Sequence, residues 1–426
     1  MKTVIVNYYL RIKDYPSKYS LAALRLGEYL NSVGVNIDIY PLALNECDIK
    51  TVAKKLCDNY DIISISHYVW SKEITIELIK EIKKIDSEKE IIIGGPEVIY
   101  TPLDKVYDAL LIYGEGEKTL YNCIKYIENQ KKDPDFFNNN PNVFSKNNPS
   151  YKLVKNELTY INPLFTKFRD IGTDFLYYET SRGCAYNCAY CGFKSRYQPA
   201  NFDLKFVEEE VKRIGKLGFK EVFVIDANFG GTKERAKQIM KYFNKYANNC
   251  LLTIYLRPEF IDDEFVEILR LANLKEIRIG IQTMNEKVPE WVRSNSIYHI
   301  NEELPKLSLK GIPWKAELII GLPGDDIVGL KKSIDFVESK LKPTEYCCYP
   351  LTIIKGTRMY DYYLEGKIDA DETGMATSSY SYTNEDLIEM QEYSKIKMNE
   401  YLRKNYHYSD LDNKIERNKV MIKTTD

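Results

Sequence analysis

Short apolar runs with strand character alternate with amphipathic helical stretches along almost all of this 426-residue chain, which points to a parallel α/β architecture. Residues 3–9 read as a first strand, followed by a polar loop around Lys13, Asp14, Tyr15 and Pro16. Ser20 is placed to cap a helix with Leu21, Leu24, Leu30 and Val33 at helical spacing, and Gly34 to end it. Residues 35–39, 61–66, 90–93 and 109–113 repeat the strand pattern, with helices over 51–56, 74–85 and from Glu117 to Ile127. This predicts one doubly wound domain over residues 1–130. Residues 131–150, with Lys131-Lys132-Asp133-Pro134 and Asn138-Asn139-Asn140-Pro141, read as a polar linker.

The alternation resumes with a strand at about 175–180. Strands over 221–225, 251–256, 276–281, 315–320 and 346–353 follow, separated by helices over 206–217, 232–245, 262–271 and 328–340. Six parallel strands predict a partial (β/α)6 barrel over residues 151–369, with its active face at the C-terminal strand ends. Residues 370–426 read as a helical C-terminal segment: a polar stretch over 370–383, then a helix capped by Asn384 that packs on the barrel or closes its open side. The charged last twenty residues read as partly disordered.

Composition narrows the class. With 60 basic and 62 acidic residues the formal charge is -2, so no global field draws in a polyanion. No apolar run approaches the ~20 residues of a membrane span, and the short N-terminal run reads as a strand, so a cytoplasmic protein is expected. Nine cysteines without an export signal imply reducing conditions, and three histidines leave little for a histidine-rich metal site.

Cys184, Cys188 and Cys191 lie in Ser181-Arg182-Gly183-Cys184-Ala185-Tyr186-Asn187-Cys188-Ala189-Tyr190-Cys191-Gly192-Phe193, and the other six cysteines form no comparable cluster. Thiolates suit iron–sulfur clusters, zinc or copper. A structural zinc site takes four protein ligands, and no second pair flanks these three; Cys250 and Cys347-Cys348 are distant in sequence. The alternative is a metal site used only for folding, or three cysteines in a buried loop.

C-x3-C-x-x-C with Tyr190 before the last cysteine, behind a strand, resembles the radical S-adenosylmethionine superfamily. The resemblance implies a [4Fe-4S] cluster whose open iron chelates S-adenosylmethionine and whose electron cleaves it to methionine and a 5′-deoxyadenosyl radical. Other residues resemble the family more loosely. Asp226 and Asn228, beyond the second strand in Asp226-Ala227-Asn228-Phe229-Gly230-Gly231, are candidates for the methionine end or for substrate, or for capping the next helix. This segment lacks the family's Glu after its glycines. Arg257 is a candidate to pair with a carboxylate, or a surface charge beside Pro258. Gln282 is a candidate for the ribose, or for bracing its loop. Gly321, in Gly321-Leu322-Pro323-Gly324-Asp325, is a candidate for close approach to adenine, or for a tight turn.

Gly94-Gly95-Pro96-Glu97 and Gly114-Glu115-Gly116-Glu117, each after a strand, resemble the N-terminal module of cobalamin-binding radical S-adenosylmethionine enzymes. That implies cobalamin as a further cofactor, with Ser64, Ser66, Ser71, Gly94, Gly95 and Glu97 near its nucleotide tail and Gly114 and Gly116 as further cofactor-binding candidates; tight turns would need the same glycines. No G-x-G-x-x-G follows the first strand, which argues against a dinucleotide, and flavin stays open. The Asp-x-His-x-x-Gly element that supplies an axial histidine elsewhere is absent. His67 is a candidate ligand, and Tyr68 and Trp70 are candidates to pack near the corrin ring or in the core.

The resemblance implies a cobalamin-dependent methyl transfer to an unactivated carbon of a small-molecule or peptide substrate. Cyclisation or rearrangement is the alternative. Cys347 and Cys348, near the last strand, are candidates for a direct catalytic role, and a flavodoxin or ferredoxin is the expected electron donor. A tRNA-modifying or methylthiotransferase reading lacks its usual basic or cysteine-bearing module, so nucleic acid is not the expected partner. A noncatalytic electron carrier is the other rival.

Overall fold

Alternation along the first strand sets the inner architecture of the N-terminal half: Val4, Val6 and Tyr8 face one apolar core and Ile5 the other. In the computed structural model β1 spans Thr3–Tyr9, β2 Ile37–Ala43, β3 Ile62–Ser66, β4 Glu90–Gly94, β5 Leu110–Ile112 and β6 Val143–Phe144. The structure describes residues 1–9, 18–45, 47–103, 107–154, 158–160, 174–193, 199–293 and 295–405. The loop expected around Lys13–Pro16 and the charged last twenty residues lie outside these. The chain divides into two compact units, Met1–Tyr178 and Glu179–Asp426.

The first sheet has the order β2-β1-β3-β4-β5-β6. β1 to β5 run parallel and β6 pairs antiparallel with β5. Helices Leu21–Ser32 and Glu117–Glu128 cover one face, and Ile49–Asn59 and Lys72–Ile85 the other, as a doubly wound fold requires. The order reverses between β1 and β3, and a crevice opens beyond the C-terminal strand ends at such a switch point. Ser20 caps its helix as expected, its hydroxyl accepting from the Ala23 N–H at 3.2 Å.

The expected linker over 131–150 does not hold, nor does the domain end at 130. Val143 pairs with Ile112 in the sheet, and Phe136 stacks on Tyr126 with ring centres 3.9 Å apart. This segment enters the core through single residues, so it shows no periodicity.

In the second sheet β7 is Phe175–Tyr178, β10 Glu221–Val224, β11 Leu251–Leu256, β12 Leu274–Gln282, β13 Trp314–Ile320 and β14 Glu345–Pro350; the short strands β8, Ser181–Arg182, and β9, Ala200–Asn201, form a separate hairpin. The six run in sequential order from β7 to β14 without reversal, and the pairs from β10 to β14 are parallel. That is the strand order of the expected (β/α)6 barrel segment. Ile277, Ile279 and Ile281 of β12 are buried on the helix-covered face, while Glu276, Arg278, Gly280 and Gln282 line the other.

Two expectations about the C-terminal segment need correction. Ala376–Ser379 pairs antiparallel with Ile368–Ala370, so the polar stretch contains a hairpin strand. The helix Asn384–Asn405 is capped by Thr383: its hydroxyl accepts from the Asp386 N–H at 3.2 Å while the Asp386 carboxylate accepts from the Thr383 N–H at 2.9 Å. This helix packs on β14 and on helix Ile327–Phe336, with Leu387, Met390, Met398 and Leu402 buried. Among the described residues no helix is long and apolar enough to cross a membrane.

Candidate functional site

The cysteine loop is held at both ends. β8 pairs antiparallel with β9, closing the base of the segment that carries Cys184, Cys188 and Cys191. Asp226, just beyond β10, fixes the same base from below: its carboxylate accepts from the Thr180 N–H at 2.7 Å, the Thr180 hydroxyl at 2.5 Å, the Ser181 N–H at 3.0 Å and the Gly230 N–H at 2.9 Å. Burial pushes this carboxyl up, against those hydrogen bonds. Asp226 is therefore engaged with protein donors and is not presented to a ligand, and the next helix starts after Thr232, whose side chain makes no capping hydrogen bond. Gly231 backs onto Asn201 and Gly230 onto Ala236, both at positive φ, so these glycines serve a tight turn against the hairpin.

All three cysteines are partly exposed. Arg257, directly after β11, donates from Nη1 to the Cys188 Sγ at 3.4 Å and lies 3.8 Å over the Tyr186 ring. Its carboxylate partner is Glu259, at 3.1 Å from Nε. Burial disfavours the charge on Arg257, but Glu259 and Cys188 together hold its pKa raised. Asn228 accepts from the Arg257 N–H at 3.2 Å, while its buried Nδ2 has no partner among the described residues. Tyr190 packs on the cluster of Ala189, Leu322, Leu351 and Met359, and burial pushes its phenol up, as do Cys188 and Cys191. The structure thus brings together Cys188, Tyr190, Asn228 and Arg257.

No three His, Cys, Asp or Glu side chains among the described residues converge as the shell of a single metal ion.

Residues 178–337 match the family model described as the Radical SAM superfamily. This stretch is similar in sequence to that superfamily. An uncharacterised methyltransferase of Pyrococcus horikoshii is 22% identical over 379 residues, covering 84% of this chain and 80% of its own. Among solved structures, the radical S-adenosylmethionine methyltransferase TsrM of Kitasatospora setae, with cobalamin and a [4Fe-4S] cluster bound, superposes with a TM-score of 0.69. It is 16% identical, with 87% of this chain and 80% of TsrM covered. The cobalamin-dependent S-adenosylmethionine radical enzyme OxsB, with aqua-cobalamin and S-adenosylmethionine bound, gives 0.73 at 16% identity, covering 99% of this chain and 71% of OxsB. The chain has the fold of these two proteins.

Elsewhere in the second unit, Gln282 ends β12 at φ 62, where the register with β13 shifts. Its carboxamide lies over Gly280 and pairs with Asn295. Gly321 accepts at its carbonyl from the Tyr382 hydroxyl at 2.6 Å, and a Cβ there would meet Leu387 at 3.1 Å, so the Gly321 turn is shaped by the C-terminal segment. The cysteine pair separates: Cys348 is buried where its N–H meets the Met398 Sδ at 3.3 Å, and Cys347 lies on the opposite face with Lys315. Cys348 therefore does not fit a direct role.

In the first unit, His67 is 0% exposed and its Nε2 is 3.0 Å from the Thr101 hydroxyl. Burial lowers its pKa to about 4, so it is neutral, and it is not presented as an axial ligand in this conformation. Gly95 exists for its backbone: a Cβ would lie 2.4 Å from the His67 carbonyl. Gly116 meets Leu26 and Gly114 meets Leu153, which makes them packing positions. Gly94 has only ordinary contact with Ile112, and Glu97 is buried. Ser64 is buried and its hydroxyl has no partner among the described residues, Ser66 bonds the Tyr68 phenol, and Ser71 accepts from the Tyr68 N–H at 3.1 Å. Tyr68 stacks on Trp70, ring centres 4.8 Å apart and 6° from parallel, and Trp70 is 57% exposed. A flat aromatic surface thus stands just beyond β3, beside the switch point.

Sequence reasoning missed Glu259, Tyr186 and Thr180. Arg257-Pro258-Glu259 carried a signal for the first, since a cation and a carboxylate flank a proline at a strand end. Thr180 pairs with a carboxylate 46 residues away, which no local pattern reports.

Proposed function

We propose that this protein is a cobalamin-dependent radical S-adenosylmethionine enzyme that transfers a methyl group to an unactivated carbon of a small-molecule or peptide substrate. The observation that carries this reading is the loop of three partly exposed cysteines, braced by Asp226 and faced by Arg257, at the strand ends of a barrel-ordered sheet. The residues present fit the implied groups. Cys184, Cys188 and Cys191 would hold a [4Fe-4S] cluster, and the orphaned Asn228 amide beside Arg257 offers a donor to S-adenosylmethionine. In the first unit, the unpartnered Ser64 hydroxyl and the Trp70–Tyr68 surface offer a donor and a plane to cobalamin. When bound, these cofactors supply an electron relay, a radical initiator and a methyl carrier.

The chain's own residues do the rest. Arg257 places positive charge 3.4 Å from the Cys188 sulfur. Asp226 keeps the cysteine loop in one geometry, which matters where a small misplacement costs rate. Tyr190 and the apolar cluster beneath it keep water from the inner side of the loop. A reduced flavodoxin or ferredoxin would supply the electron. Cyclisation or rearrangement is the second reading, supported by the fold shared with the cobalamin-dependent S-adenosylmethionine radical enzyme OxsB.

The test is anaerobic production with cobalamin supplied, followed by absorption and electron paramagnetic resonance spectra. Corrin bands together with a four-iron signal are expected. Protein that holds the cluster and repeatedly excludes corrin would overturn cobalamin-dependent methyl transfer.

A further inference from the structure

The inner face of the second sheet carries charge at period two in strands that are otherwise apolar. Register places Tyr255, Arg278, Lys315 and Glu345 side by side in one layer, and Gly280, Glu317 and Cys347 in the next layer toward the C-terminal ends. The cations of this wall are already engaged. Arg278 bonds Glu276 at 2.7 Å and the Tyr255 phenol at 3.3 Å, and lies 5.2 Å over the Phe223 ring. Lys315 bonds Glu345 at 2.9 Å.

Glu317 is what remains. It makes no side-chain hydrogen bond among the described residues, although Arg278 and Lys315 lie near enough to favour its charge. Three carboxylates, Glu276, Glu317 and Glu345, share two cations, so this stretch of wall carries one negative charge in excess. Ala316 and Leu318 on either side are 0% exposed, whereas Glu317 is partly exposed in the middle of an interior strand. Since the other face of β13 is packed, that exposure is toward the lumen. Gly280 beside it presents no side chain.

A partly desolvated carboxylate without a hydrogen-bonded partner costs free energy, and natural interiors keep such groups where a ligand completes them. Burial pushes the Glu317 carboxyl up, against the neighbouring charges of Arg278 and Lys315.

We propose that Glu317 anchors a cationic group of the substrate, a protonated amine or a guanidinium, in the barrel lumen. This deepens the preceding reading and rests on it for calling the ligand a substrate. Glu317 acts in binding and specificity. Arg278 and Lys315, held by Glu276 and Glu345, position its carboxylate.

The probes are 2-phenylethylamine and 3-phenylpropionate, each titrated into the anaerobically reconstituted full chain and followed by saturation-transfer NMR. The amine is expected to bind and the carboxylate not to. Glu317→Gln should weaken the amine by about tenfold or more, the loss expected for a hydrogen bond to a charged group. Glu317→Lys should reverse the preference. Iron content and near-ultraviolet circular dichroism identify the variants that fold. Equal binding of both probes to the wild type, or unchanged amine affinity in a folded Glu317→Gln protein, would overturn the anchor. Reductant-dependent 5′-deoxyadenosine formation, read in parallel on the wild type, separates the two claims. Its absence with amine binding intact sinks the enzymatic reading, and its presence without amine binding sinks the anchor alone.

Discussion

Asp226 shows how a residue in the right place can have a different task from the one its position suggests. It sits at a strand end beside the cysteine loop, yet its carboxylate is filled by Thr180, Ser181 and Gly230. An amide at this position would turn an N–H toward donors, so Asp226→Asn should lower stability by about 2–4 kcal/mol through unmet buried donors. Urea unfolding of the apoprotein measures this, and iron incorporation should fall with it. An unchanged midpoint would mean that the loop is held elsewhere. The cysteines were legible because their spacing is local. The task of Asp226 was not, because it depends on a contact spanning 46 residues. The burial of His67 was hidden for a similar reason: the sequence shows a histidine at a strand end, and only packing shows that its ring is covered and meets the Thr101 hydroxyl.

At the scale of elements, the turn Gly321–Asp325 links β13 to the C-terminal segment and to the loop after β12. Gly324 donates its N–H to the Ser381 hydroxyl at 2.9 Å, and Asp325 accepts from the Asn285 amide at 2.8 Å and from the Thr283 hydroxyl at 3.3 Å. Burial raises the Asp325 carboxyl from 3.8 to about 6. The protonated form is thus favoured by folding, and its contribution is fully present below about pH 4 and lost as pH rises through about 6. Measured against Asp325→Asn, the wild type should lose roughly 2–3 kcal/mol of relative stability between pH 4 and pH 7.5. Urea midpoints taken across that window test it, and parallel curves for the two proteins would contradict it. Strands and long helices were readable because their apolar periods are strong. The two-residue strand β6 and the Thr383 cap were not, because each rests on one or two residues whose partners lie elsewhere.

For the whole molecule, the two sheets differ in one respect that decides their use. The first reverses its order between β1 and β3, so its crevice is fixed by topology. The second runs in order from β7 to β14, which gathers its strand-end loops on one face. Both orders follow from alternating strands and helices that the sequence displays, but alternation alone does not say where an order reverses. The sequence carries Glu276, Arg278, Lys315 and Glu317 at period two within two of these strands. Their meaning needed the register that sets them side by side.

The central claim is that three thiolates on one braced loop hold a cluster able to cleave S-adenosylmethionine. It is tested most directly by mass-spectrometric measurement of 5′-deoxyadenosine from reconstituted, anaerobic protein with a strong reductant, in the wild type and in a Cys184→Ala, Cys188→Ala, Cys191→Ala triple variant. The account predicts reductant-dependent formation by the wild type and none above background by the variant. No product from wild-type protein that carries its full iron, or equal product from both proteins, would contradict it.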